Sequence, residues 1–428
     1  MEKSRKERVQ EYRLLDKESD KLYYSCRRAA AVELLNEGIH QANIAGDDDY
    51  ALCFQAGIHV VTGEHVEQVS EIIGRAIRWV TDQGLPDDPL LYVSMGAADH
   101  RARNFDAALS WFERALQVDN EYSIAMVWKG IILDEQGQSD QALAWYSRAI
   151  TVNHEELSAY IRLGYNYLHQ DTEKAVSFFQ HALARLPNFA MAIHGMGLTC
   201  LTKGAFDDAI KWFQTAVTLE SDDLSAMFYL GKSYSLKGDI DASIHWFHKM
   251  MAARTPASLV MLGLNRIAYE HAAMRELAAA YMHKHDEEKA IVWLQRALEK
   301  EPGDAEAFYQ LGILLANKRQ FDSAILALEQ ALTIEPTNIV YLQYYGVALH
   351  DCGNLQAALT AFQQMLELEP DNHLVTEYAA ILLAKMHRDV EAMAGFNRAI
   401  QLDPQSDIAF VWKGTLLYHQ KQYASAVS

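Results

Sequence analysis

Basic residues are scarce in this 428-residue chain: 38 lysines and arginines stand against 57 acidic residues, a formal charge of −19. Affinity for duplex DNA or RNA comes largely from neutralised phosphates. The balance therefore argues against nucleic acid and favours basic or neutral partners. Much of the acid sits in turns, as at Asp222-Asp223 and Glu287-Glu288, where it suits helix capping and the dipole at helix starts. Cysteine is thin as well. Cys26, Cys53, Cys200 and Cys352 lie far apart and fit neither disulfide nor metal spacing, and Cys200 reads as a small core residue. No apolar run reaches the length of a membrane span, and the opening Met-Glu-Lys-Ser-Arg-Lys-Glu-Arg lacks the apolar stretch of a secretory signal. The expectation is a cytoplasmic or other reducing compartment with no membrane partner. Low-complexity tracts are absent and 50% of the residues are apolar, so most of the chain should be ordered.

Signatures of chemistry are also missing. Gly195-Met-Gly197 lacks the preceding strand and the third glycine of a dinucleotide loop, so it reads as helix packing. His283-Lys-His285 does not place both imidazoles on one helical face, and no second pair completes a zinc site. Gly-x-Ser-x-Gly and Walker sequences do not occur. No catalytic residue, cofactor or metal is expected, and no enzyme.

What the chain has is a period. Gly96, Gly130, Gly164, Gly197, Gly231, Ala278, Gly312, Gly346, Ala380 and Gly414 form a row of small residues spaced by 34, with one 33 and one 47. A second row follows: Ala108, Ala142, Ala175, Ala209, Ser243, Ala290, Ala324, Ala358, Ala392 and Ala426. Four places further on lie Phe112, Tyr146, Phe179, Phe213, Phe247, Leu294, Leu328, Phe362 and Phe396. Pro187, Pro302, Pro336, Pro370 and Pro404 share the end of the repeat. A period in this range predicts stacked helical pairs. Glycine inside a helix costs about 0.5–1 kcal/mol relative to alanine, so a regular glycine needs a packing reason. Close approach of two backbones is the expected one, with the aromatic filling space between hairpins.

These columns resemble the tetratricopeptide repeat (TPR) family over roughly residues 89 to 428. The best copy reads Tyr160-x2-Leu163-Gly164-x2-Tyr167, then Ala175, Phe179, Ala182 and Pro187. The resemblance implies an all-α fold, a TPR α-solenoid of antiparallel helix pairs in a right-handed superhelix. Residues 1–88 should form a helical cap with a degenerate repeat at 50–83, in which Gly57 stands in the small row and Val69 replaces alanine. Residues 89–257 make a first lobe, 258–270 a helical insertion, and 271–428 a second lobe whose last repeat is incomplete. One long or kinked helix is expected from about Ala257 to His283, with any kink near Gly263. The third repeat is one residue short in its turn, around Gln170-Asp171-Thr172. Because the tenth repeat stops inside its second helix, continuation of the protein past Ser428 is also expected.

In the family the first helix of each repeat lines a concave groove. Carried onto this chain, the groove candidates are Ile161, Tyr165, His169, His194, Leu198, Phe228, Lys232, Arg275, His283, Tyr309, Ile313, Gln343 and His350. They are aromatic, aliphatic and histidine-rich with few charges, which suits a peptide or protein surface. The carboxylate clamp needs lysine, asparagine and arginine here, but the column after the glycines has only Lys232 and no asparagine; an unusual clamp around Lys232 and Arg275 stays open. An asparagine ladder is likewise missing. The expected function is a protein–protein interaction scaffold or adaptor. The alternatives are the regulatory half of an enzyme whose effector domain lies beyond residue 428, and a chaperone-like adaptor in secretion or pilus assembly.

Overall fold

A computed structural model of the chain describes residues 4–24, 28–62, 68–82, 88–253 and 266–419. Among them no β-strand occurs, and the chain divides into two compact units, Met1–Tyr269 and Glu270–Ser428. The first unit opens with α1 (Arg5–Tyr24), α2 (Arg28–Ala45), α3 (Asp48–Thr62) and α4 (Val69–Asp82). Five hairpins follow: α5 (Pro89–Arg101) with α6 (Phe105–Val118), α7 (Ser123–Glu135) with α8 (Ser139–Val152), α9 (Leu157–Tyr167) with α10 (Thr172–Arg185), α11 (Ala190–Thr202) with α12 (Phe206–Leu219), and α13 (Leu224–Lys237) with α14 (Ile240–Ala252). Next comes α15 (Arg266–His283), which from Glu270 onward belongs to the second unit. That unit continues through α16 (Glu287–Lys300), α17 (Ala305–Asn317), α18 (Phe321–Ile334), α19 (Ile339–Asp351), α20 (Leu355–Leu368), α21 (His373–Lys385), α22 (Asp389–Leu402) and α23 (Asp407–His419). The suggested kink at Gly263 and the start of the long helix lie outside the described residues.

The glycine row has a more specific cause than backbone approach. A Cβ on Gly164 would lie 2.5 Å from Cε1 of Phe179, and one on Gly231 would lie 2.9 Å from the Phe247 ring. At Gly96, Gly130, Gly164, Gly197, Gly231 and Gly346 the first helix therefore carries a notch that the aromatic of its own second helix fills, and at Gly312 Leu328 takes that place. The ring also reaches the next hairpin. Phe112 stacks on Trp128, Phe213 on Tyr229, Phe362 on Tyr378 and Phe396 on Trp412, with centroids 5.6–6.5 Å apart. Behind Phe179 the corresponding residue is Gly195, so that ring lies in two notches at once. In the ninth repeat the notch moves: Ala380 brings a methyl, and Gly395, beside Phe396, makes room for it with a would-be Cβ 2.8 Å away. Buried aromatics of this size dominate the free energy of the core, at about 3–5 kcal/mol for truncation to alanine.

The N-terminal region follows the same rule one helix earlier than its sequence suggested. Gly38 and Phe54 have the separation of Gly96 and Phe112, and a Cβ on Gly38 would lie 2.7 Å from the Phe54 ring. Thus α2 and α3 form a repeat-like pair, whereas Gly57 faces only the Leu35 methyls at 3.4 Å. The dense charge of residues 1–22 does not prevent a helix. Tyr12 of α1 packs against Tyr50 and Phe54, and Arg8 and Tyr12 both hydrogen-bond the buried Asp47.

Turns inside the hairpins share a left-handed residue. Gly137, Gly204, Gly238 and Gly353 hold it with φ of 71–91°, and Arg103, His285, Arg319 and His387 hold it with φ of 56–60°. The next N–H closes the helix end, as in Gln138 N to Leu133 O at 2.8 Å and Gln320 N to Leu315 O at 2.9 Å. The short third turn omits this residue, and Asp171 caps α10 directly through Lys174 N. A Cβ in this region is disfavoured by roughly 1–2 kcal/mol, partly offset by the greater chain entropy of unfolded glycine. Arg319→Gly should therefore raise the urea midpoint, by a stability gain of about 0.5–1 kcal/mol. A lowered midpoint would show that the arginine side chain contributes more than its backbone strain costs.

Candidate functional site

In the first unit two of the groove candidates, Tyr165 and His194, belong to a hydrogen-bonded file running from α9 to the first turn of α15. Tyr165 projects from α9, His194 from α11, and Ser225 and Phe228 from α13. Tyr269, in the first turn of α15, donates its hydroxyl to Ser225 Oγ at 3.1 Å. Ser225 Oγ lies 2.9 Å from His194 Nε2, and His194 Nδ1 lies 3.3 Å from the Tyr165 hydroxyl, which donates to Met191 O at 2.9 Å. Each link has one proton, so the directions are fixed. Tyr165 gives its proton to Met191 and can only accept from His194 Nδ1–H, and Ser225 then donates to Nε2. This is a neutral imidazole with the proton on Nδ1.

The ring environment agrees. His194 meets Phe213 and Tyr229 edge-on at 5.5 and 5.2 Å, and desolvation pushes its pKa down to about 4. A second proton would leave the Ser225 hydroxyl without its acceptor and place an uncompensated charge among rings. Burial likewise raises the pKa values of Tyr165, Tyr229 and Tyr269 above the usual tyrosine range. Phe228 is 7% exposed against Phe247, Tyr229 and Tyr269, and Ile161 is 1% exposed. These two candidates therefore brace the wall and present almost no surface to a visitor. Leu198 and Lys232 are half-buried beside them, and His169 is exposed at the end of its repeat's first helix.

In the second unit the candidates are more open. Arg275 on α15 reaches Asp304 Oδ2 at 3.4 Å, next to His271 Nε2 at 2.9 Å, while Asp304 Oδ1 caps α17 through Ala307 N. Its guanidinium thus lies at ion-pair distance from a helix-capping carboxylate and is itself 38% exposed. Tyr309 stacks on Tyr341 at 4.9 Å and meets Tyr344 edge-on at 5.3 Å; burial first, then Tyr344, pushes its hydroxyl up to about 12. Ile313 is half-buried and Gln343 exposed. His350 takes a 2.6 Å contact from Lys385 Nζ on Nε2 and sits 2.9 Å from Asp351 through Nδ1, while His283 is exposed at the end of α15. Among the described residues no group of three His, Cys, Asp or Glu side chains could hold a metal, and no helix is long and apolar enough to cross a membrane.

Reading the sequence missed Ser225, Tyr229 and Tyr269. Tyr229 belongs to the column two places before the glycines, with Trp128, Tyr378 and Trp412, and that aromatic recurrence was a usable signal. Ser225 and Tyr269 carry no such pattern.

Repeat geometry and sequence comparison agree on the family. Residues 96–156 match the tetratricopeptide repeat model, and residues 283–365 match the model for anaphase-promoting complex, cyclosome, subunit 3. The chain contains tetratricopeptide repeats. No curated protein matches it. Among solved structures, a crystal structure of MamA is 26% identical over 42% of this chain and 92% of its own, with a TM-score of 0.36. A tetratricopeptide repeat protein from Parabacteroides merdae is 16% identical over 66% of this chain and 98% of its own, with a TM-score of 0.43. The APC/C hetero-tetramer Cut9-Hcn1 is 14% identical over 97% of both chains, with a TM-score of 0.39. Scores this low carry no argument about partners.

Proposed function

We propose that this chain is a protein-interaction scaffold that holds a peptide or protein surface against the first helices of its repeats, without nucleic acid, membrane or cofactor. The observation that carries this reading is the division of labour between helices. Second helices spend their aromatics on the glycine notches, while first helices leave the face containing Leu198, Lys232, Ile313 and Gln343 partly or fully accessible. The reading assigns the chain no reaction. The proposed lobes at 89–257 and 271–428 would then offer two such faces, with 258–270 between them.

Affinity purification tests it with Lys232→Glu, Ile313→Lys and Gln343→Lys combined, none of which removes a notch-filling ring. Partners recovered by the wild type should be lost with this variant and kept by a control, Glu329→Lys, on a second helix. Equal recovery by all three proteins would sink the proposal.

A further inference from the structure

First helices α19, α21 and α23 repeat an apolar pattern that stays exposed among the described residues of the second unit. Val340, Tyr344 and Val347 lie along α19 at the spacing of one helical face, Leu374 and Tyr378 take the same places on α21, and Ile408 continues the row on α23. All six are 39–54% exposed, although their chain neighbours Tyr341, Leu342, Val375 and Thr376 are buried. The helices lie side by side: Lys385 Nζ contacts His350 Nε2 between α19 and α21, and Glu377 accepts from Ser406 at the start of α23. The strip has an edge as well. On α17 the first two corresponding places hold Glu306 and Gln310, hydrogen-bonded to each other at 2.8 Å, with Glu306 also accepting from Tyr341, and only the third, Ile313, stays apolar.

We infer that this strip on α19, α21 and α23 is the docking surface for a peptide segment with bulky apolar or aromatic side chains and no charge at its centre. The inference rests on the scaffold reading above and names which first helices act and what they select. Charge carries the argument. None of the six residues is ionisable at neutral pH in a chain of formal charge −19, so a ligand charge buried against them would lose its water without gaining an opposite charge from the strip itself. Acidic segments are further disfavoured by the whole molecule, and basic ones are drawn to the acidic remainder of the surface. Apolar contact with aromatic anchors is what the strip itself rewards.

The full chain is presented to a displayed library of short random peptides, and the enriched sequences are measured against Val347→Lys with Leu374→Lys. Both sites are exposed, and Val347→Ser with Leu374→Ser serves as a second variant should the lysines perturb folding. Enriched peptides should be apolar and uncharged at the centre, and the variants should weaken them roughly tenfold or more. Enrichment of acidic or basic peptides, no enrichment, or equal binding by the variants overturns the inference. So does a wild-type dimer in sedimentation that the variants convert to monomer, since a second copy would then be the occupant. If peptides survive the strip variants but are lost with Leu198→Lys on α11, the strip is wrong while the scaffold reading stands. Loss with neither set removes both.

Discussion

Gly164→Leu should destabilise the hairpin of α9 and α10 by about 3 kcal/mol or more, the upper end for overpacked cores. The reason is local and geometric. Even the first added carbon would meet Phe179 at 2.5 Å, and the ring has little retreat because Gly195 crowds the same Cε1 and Cζ atoms, with its own would-be Cβ 2.4 Å away. Moving the ring aside would expose or strain a side chain that is now fully buried. Shrinking the ring should relieve the clash, so Gly164→Ala with Phe179→Leu should be more stable than the sum of the two single changes. The chain contains that combination in its sixth repeat, where Ala278 is paired in register with Leu294. Hydrogen exchange of the α9 and α10 amides reads the effect where it occurs, and a coupling near zero between the two sites would refute the notch.

Acid should weaken the first unit through one histidine. The His194 imidazole titrates near 6.5 in an unfolded chain, and in the stack it is pushed down to about 4. Between those values the unfolded chain binds a proton that the folded one refuses. The stabilisation is therefore complete above pH ~6.5 and declines as the pH falls toward ~4, by about 3 kcal/mol across the interval. His194→Phe keeps a ring against Phe213 and Tyr229 but removes the titration. At neutral pH that variant should be the less stable protein, because Ser225 and Tyr165 lose their partner. Its deficit should shrink as the pH falls. Urea midpoints of both proteins between pH 7 and 4 decide the matter, and a gap that stays constant with pH would remove His194 from the account.

Much of the fold was legible because packing wrote itself into spacing. Gly96, Gly130 and Gly164 each stand sixteen or fifteen places before the ring they receive, and a periodic residue cannot hide. The pairing of α2 with α3 was less visible, since Tyr50 stands where alanine belongs and only Gly38 and Phe54 keep the rule. The groove was read as a set of columns, and that is where it fell short. A column says which way a side chain leaves the helix but not what stands opposite. Phe228 points as its column requires, yet Tyr269 arrives from outside the period and helps to cover it. Tyr344 and Tyr378 belong to a column that is half-buried at Tyr229 but exposed at both places in the second unit, so the same letter serves two purposes. Contacts made by an interruption of the repeat leave no trace in the repeat.

The moving notch also limits how this array could be cut and rejoined. The ninth repeat keeps its methyl and the matching gap within itself, through Ala380 and Gly395, so that fit would survive transplanting. The third and fourth cannot be parted so freely: Gly195 belongs by sequence to one and by steric need to the ring of the other. A recombination joint between them would set Phe179 against a foreign residue, whereas both together form a cassette with its internal fit preserved.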